Sequence, residues 1–193
     1  MRTIVLTKSL ILLLFFVALL QEGQAKTAIN YSRPTIYNFS GFDNHLYEPN
    51  VPFSTTTAGH ILHLDFDNFP MFGFESYTVQ IHEVNSDETN SFVEFRFIDL
   101  MYQVDVKSLN LYGGIGAGDV KYNCKIGACK NYTFTKDTAT QVFVQLGFKV
   151  ATSIDIHLSA HRVMGSNEVK NGPDRARIEL GGFLATWGIL ISW

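Results

Sequence analysis

Charge, cysteine and long apolar runs are all scarce in this chain, and each scarcity removes a class of function. Of 193 residues, 15 are Lys or Arg and 18 are Asp or Glu, which leaves a formal net charge of −3. No basic stripe is present, so nucleic acid is not an expected partner. No polybasic segment points to anionic lipid. Only one apolar run is long, Leu10 to Leu20, and it is shorter than the ~20 residues a helix needs to cross a bilayer. The carboxyl end lacks the small-residue and spacer pattern of a lipid anchor. These absences predict a soluble product with no membrane contact once its leader is gone.

The leader itself is legible. Arg2 and Lys8 precede the apolar run, and Gly23 and Ala25 supply the small residues that a signal peptidase reads. The expected division is a cleaved signal peptide over 1–25 and one domain over 26–193. Its destination is expected to be secreted and extracellular. Cys124 and Cys129 are the only cysteines. In an oxidising route they are expected to pair, with Gly127 turning the short loop. Redox pairs usually enclose two residues rather than four, and no further thiol completes a zinc set. Asn30, Asn38 and Asn131 head glycosylation sequons and are expected to carry surface glycans.

Alternation of period two dominates the rest. Leu62, Leu64 and Phe66 alternate with His63, Asp65 and Asp67. Tyr77, Val79 and Ile81 form a second stripe, and Val93, Phe95 and Phe97 a third. Val142 to Val150, Ile154 to Leu158 and Ala176 to Leu180 continue the pattern. Polar or glycine-rich clusters separate the runs at 85–90, 113–118 and 164–174. No capped amphipathic helix is visible. Short antiparallel strands with regular turns describe a sandwich or a barrel, with the apolar stripe of each strand facing the core. An echo links Phe72-Gly73-Phe74 before Ile81-His82 with Leu146-Gly147-Phe148 before Ile156-His157, as two similar strands or a decayed duplication would.

Few residues suggest chemistry. The glycines at 113–118 lack the dinucleotide spacing, and no helix follows them, so they read as a flexible hairpin. His63, Asp65 and Asp67 share one strand face with His60 on the other, but the row stretches over about 14 Å, too long for one ion. It reads as a solvated face, and no metal and no cofactor are expected. Asp155, His157 and Ser159 project from one face at ~6–7 Å steps, too far apart for a triad. No catalytic residue is assigned. Trp187, Ile189, Ile191 and Trp193 alternate at the end, and Trp187 is expected in the core.

The stretch Phe148 to Ser159, a loop, and Arg177-Ile178-Glu179-Leu180-Gly181-Gly182-Phe183 resembles the farnesoic acid O-methyltransferase domain of arthropods. The likeness covers roughly residues 130–193 and rests on an aspartate before an Ile-His-Leu-Ser strand and on the Gly-Gly-aromatic segment. Phe183 replaces the family's tryptophan, and its following asparagine and arginine are missing. The resemblance implies a small antiparallel β-sandwich, jelly-roll-like, that recognises carbohydrate or another surface ligand. On that reading Asp155, His157, Gly181, Gly182 and Phe183 contact the ligand, and the chain is a secreted, non-enzymatic binding module. The family name implies an alternative, methylation of farnesoic acid in juvenile hormone synthesis, although no S-adenosylmethionine site is visible. The sixteen phenylalanines suggest a third, a carrier of an apolar small molecule.

Overall fold

A computed structural model describes residues 27–42, 53–66, 69–83, 91–106, 109–124, 132–170 and 177–193. Nine strands follow in chain order: β1 Ala28–Phe39, β2 Phe53–Asp65, β3 Met71–Glu83, β4 Ser91–Val106, β5 Leu109–Cys124, β6 Lys136–Ala151, β7 Ile154–Glu168, β8 Arg177–Glu179 and β9 Gly182–Ser192. Their β-branched and aromatic content suits a pleated wall. Each of β1 to β7 pairs antiparallel with the next, β7 then pairs with β9, and β9 returns to β1. The three-residue β8 caps the far end of β7. Eight strands thus close on themselves in one antiparallel barrel. The all-β, antiparallel expectation holds, and the sandwich does not. The long β6–β7 ladder, from Ala139↔Gly165 to Ala151↔Ile154, joins the two edges that a sandwich would leave apart.

The strands are staggered, as closure demands. A circuit of paired residues begun at Asn30 passes through His63, Gly73, Asp99, Gly116, Gln141, Val163 and Gly182, and re-enters β1 at Phe39. The β1–β2 ladder stops at Ser32↔Ile61. Beyond it comes Pro34, which has no N–H to contribute, and β1 bulges between Pro34 and Ile36. There the Thr55 hydroxyl donates to the Tyr37 carbonyl at 2.8 Å.

The two rims differ. At one, the connections are 66–70, 107–108 and 152–153, and Thr27 and Trp193 exchange backbone hydrogen bonds of 3.2 and 3.0 Å. At the other, the connections are 40–52, 84–90, 125–135 and 169–176. They are called the turn rim and the loop rim below.

Polarity reverses between the two halves. Near the loop rim the inside is a hydrophobic core of Tyr37, Tyr77, Val79, Val93, Phe95, Phe97, Val120, Tyr122 and neighbours. Outside them stand Arg33, Arg96, Lys121 and Lys136. Near the turn rim the outside is apolar: Phe74, Ile98, Leu100, Ile115, Val142, Val144, Ile156, Leu158, Trp187 and Ile189 are all at least 39% exposed. The inside there holds Asn30, His63, Glu75, Asp99, Gln141, Gln145, His157 and His161, all buried, above a smaller apolar cluster of Ala28, Met71, Met101, Tyr112, Phe143 and Leu190. The stripes change phase within single strands. In β3, Phe72 and Phe74 point outward, and Tyr77, Val79 and Ile81 point inward. In β4, Val93, Phe95 and Phe97 point inward, and Ile98, Leu100 and Tyr102 outward. One half is therefore built like a soluble protein, and the other carries an apolar wall outside over an interior that is largely polar.

Candidate functional site

The buried polar cluster of the inverted half is the most unusual feature of the molecule. Its layout follows from the stagger. Along the circuit, bulky polar residues alternate with glycine: His63, Gly73, Asp99, Gly116, Gln141. The small positions let the neighbouring side chains lie over the wall. A Cβ at Gly73 would strike the His63 ring, and one at Gly116 would strike Asp99 Oδ1. Gly116→Val is expected to cost about 1–3 kcal/mol through overpacking. Ala117→Val, on the outer wall next to it, is expected to be close to neutral. Denaturant unfolding of the two variants in detergent measures the difference.

Hydrogen bonds tie part of the cluster together. Gln141 Nε2 donates to Asp99 Oδ1 at 2.8 Å, and Gln141 Oε1 lies 3.3 Å from His161 Nδ1. His161 Nε2 is 2.8 Å from Ser159 Oγ, which is bonded in turn to the Thr186 hydroxyl. The His161 ring stacks on Phe143 with centroids 4.7 Å apart. Nearer the turn rim, Asn30 Nδ2 donates to Gln145 Oε1 at 2.9 Å, and Asn110 donates to Asp155. Other atoms in the same space lack a well-formed hydrogen bond: both ring nitrogens of His63, and the oxygens of Glu75 and Asp99 Oδ2, which lie against each other's carboxyl groups. Glu75 Oε1 is 3.4 Å from His161 Nδ1, and His63 Nε2 is 3.8 Å from Asp99 Oδ2. One ligand atom each of His63, Glu75 and Asp99 lies within 4.8 Å of the others. Buried polar atoms without partners are rare in native folds. This set has the donors to hold a cation.

The residues singled out from the sequence do not converge on one open site. Asp155 and His157 face into the barrel near the turn rim, and His157 is fully buried. Gly182 pairs with Val163, six residues further along β7 than His157, or roughly 20 Å of strand. Gly181 and Gly182 are packed near the loop rim, and Phe183 is exposed on the outer wall. The amide of Asn30 is inside, donating to Gln145, whereas Asn38 is exposed near the loop rim. Asn131 and the leader lie outside the described residues. Cys124 is disulfide-bonded, and Cys129, the only other cysteine, also lies outside them. Trp187, expected in the core, is 46% exposed.

Reading along β2 alone missed the cluster. His63 does face away from His60, but its companions are Glu75 and Asp99 on β3 and β4 rather than Asp65, and Asp67 lies outside the described residues. The available signal was the phase change within β3 and β4, joined with glycines opposite the polar residues.

A closed antiparallel barrel with an apolar outer belt over a polar interior has the construction of transmembrane β-barrels. Solved structures agree on the fold. The chain superposes on the outer membrane protein OprG from Pseudomonas aeruginosa with a TM-score of 0.55, at 7% identity, covering 88% of this chain and 95% of that one. It superposes on the Neisserial surface protein A (NspA) with a TM-score of 0.55, at 8% identity, covering 89% and 98%. No protein-family model matches the chain, and no curated protein matches it. These findings correct the soluble, freely secreted module and its lack of membrane contact. The physical reason is the outer belt. An apolar face that runs around a closed wall has no second sheet to cover it, so something other than water must.

Proposed function

We propose that this chain is an integral membrane β-barrel of the outer-membrane type. The inverted half lies in the bilayer, and the aromatic-cored half stands in water and carries the longer connections. The observation behind this reading is the belt of outward Phe74, Ile98, Leu100, Ile115, Val142, Val144, Ile156 and Leu158 around a polar interior. On β6 the outward apolar residues run from Val142 to Val150. At the usual rise and tilt that is a height of about 20 Å, near the ~25 Å belt of such barrels. Exposed Tyr102, Phe148 and Trp193 at the turn rim supply interfacial aromatics. The outer residues Arg33, Arg96, Lys121 and Lys136 begin where the belt ends. A leader over residues 1–25 suits a barrel that must be exported before it inserts.

The barrel is a scaffold rather than a solute channel. Eight strands enclose a space that side chains can fill, and Tyr37, Tyr77, Phe95, Phe97 and Tyr122 fill it toward the loop rim. Two measurements test the reading. After alkaline carbonate extraction the protein is expected in the membrane pellet. In liposomes it is expected to give no swelling with small sugars. Recovery in the soluble fraction contradicts the membrane assignment, and rapid swelling contradicts the filled interior.

A further inference from the structure

We propose that His63, Glu75, Asp99 and His161 bind one divalent transition-metal cation inside the barrel, at the level where its polarity reverses. Four strands contribute: β2, β3, β4 and β7. His63, Asp99 and His161 are at most 1% exposed, and Glu75 is 2% exposed. His63 has no hydrogen bond to either nitrogen, and Glu75 sits against the Asp99 carboxyl and the Gln141 amide without a well-formed bond to either. Two carboxylates are thus held together, out of water, with no Lys or Arg paired to them among the described residues. Two carboxyl groups so placed hold protons, and a divalent cation displaces those protons and takes the freed lone pairs.

Three ligands are already drawn together, His63, Glu75 and Asp99 each placing one ligand atom within 4.8 Å of the others, and His161 reaches the set through Glu75. Donor atoms around a zinc-like ion at 2.0–2.2 Å stand roughly 3.3–3.5 Å from one another. His161 Nδ1 and Glu75 Oε1 are 3.4 Å apart, and His63 Nε2 and Asp99 Oδ2 are 3.8 Å apart. Supporting contacts are in place as well. Gln141 Nε2 holds Asp99 Oδ1, which leaves Oδ2 turned toward His63. Without metal, His161 Nδ1 faces two acceptors, Gln141 Oε1 and Glu75 Oε1, and carries the proton; metal binding takes that position and leaves the proton on Nε2, where it donates to Ser159 Oγ. Such outer contacts fix the tautomer and orientation of metal-bound imidazole. Two imidazoles with two carboxylates suit zinc, manganese, iron, cobalt or nickel better than calcium or magnesium, which favour all-oxygen sites. Gly73 and Gly116 give the ligands room, because a side chain at either position would displace His63 or Asp99.

The test uses the full barrel, purified in detergent without a histidine tag and stripped with chelator. Zn²⁺ is added, and bound metal is counted after gel filtration. About one equivalent per chain is expected. His63→Gln and Glu75→Gln are each expected to weaken binding at least about tenfold, and His60→Gln, on the outer wall, to leave it unchanged. Loading the unaltered chain with Co²⁺ gives a readout that needs no variant to fold. An intense visible absorption of four-coordinate cobalt is expected. Less than about a tenth of an equivalent on folded protein overturns the proposal. So does equal binding by His63→Gln and Glu75→Gln, or a cobalt spectrum like that of the hydrated ion.

Discussion

Leu158→Arg is expected to lower the stability of the lipid-embedded barrel by about 2–4 kcal/mol. Leu158 stands on the outer wall of β7, 56% exposed and paired with Leu146 and Trp187. In lipid, a guanidinium at that level must be dragged toward the interface or desolvated. On a water-facing wall the same substitution changes an exposed side chain for a better-hydrated one, and its effect falls within about 0.5 kcal/mol. The two environments thus predict outcomes several-fold apart. Val144→Arg, one strand away and 57% exposed, repeats the test independently. Guanidinium unfolding in lipid vesicles, followed by tryptophan emission, measures both.

Phe95→Ala is expected to cost about 3–5 kcal/mol, as deletion of a large ring from a packed core does. Phe95 is fully buried inside the loop-rim half. Its ring lies 5.1 Å from Tyr77, 5.4 Å from Tyr37 and 6.1 Å from Phe97, centroid to centroid. Tyr37 is also anchored by its hydroxyl, which donates to the Leu180 carbonyl at 2.8 Å. A ring projecting into a water-filled lumen would have few partners to lose, and its removal would cost little. Chemical unfolding of Phe95→Ala beside the unaltered chain decides between the two. The expected loss is large because the cluster spans the barrel from β1 to β4.

The strands were legible because alternation was strong. Val142 to Val150 and Ile154 to Leu158 lie in β6 and β7, where their spacing placed them. The direction of each stripe was not legible. A period-two pattern separates two faces but does not say which of them meets the core. Burying the apolar face is sound for a protein in water, and in β3 it holds for Tyr77, Val79 and Ile81. It fails one turn of the pleat away, at Phe72 and Phe74, because the surroundings of the strand change from water to hydrocarbon. A stripe whose phase slips by one residue within a continuous strand was the feature to weigh.

Closure was hidden for a related reason. Nothing in β6 or in β9 announces that β7 pairs with both. The stretch behind the resemblance to farnesoic acid O-methyltransferase domains is β6, β7, β8 and β9, where Asp155 and His157 alternate with outward Ile154, Ile156 and Leu158. Alternation of this kind serves a barrel wall as well as a sandwich. The echo between Phe72-Gly73-Phe74 and Leu146-Gly147-Phe148 has a local basis. Gly73 pairs with His63, and Gly147 pairs with His157, so each glycine lies beside an inward histidine. The polar cluster was invisible along any one strand, since its members meet only across the stagger.

Trp187 offers the most direct measurement. With Trp193→Phe it is the only tryptophan, and it stands on the outer wall between Leu158 on β7 and Arg33 on β1. In vesicles whose acyl chains carry bromine near the headgroup, its emission is predicted to be strongly quenched, while acrylamide in the water has little effect. Indifference to the brominated lipid, or ready quenching by acrylamide, would contradict a wall that faces hydrocarbon.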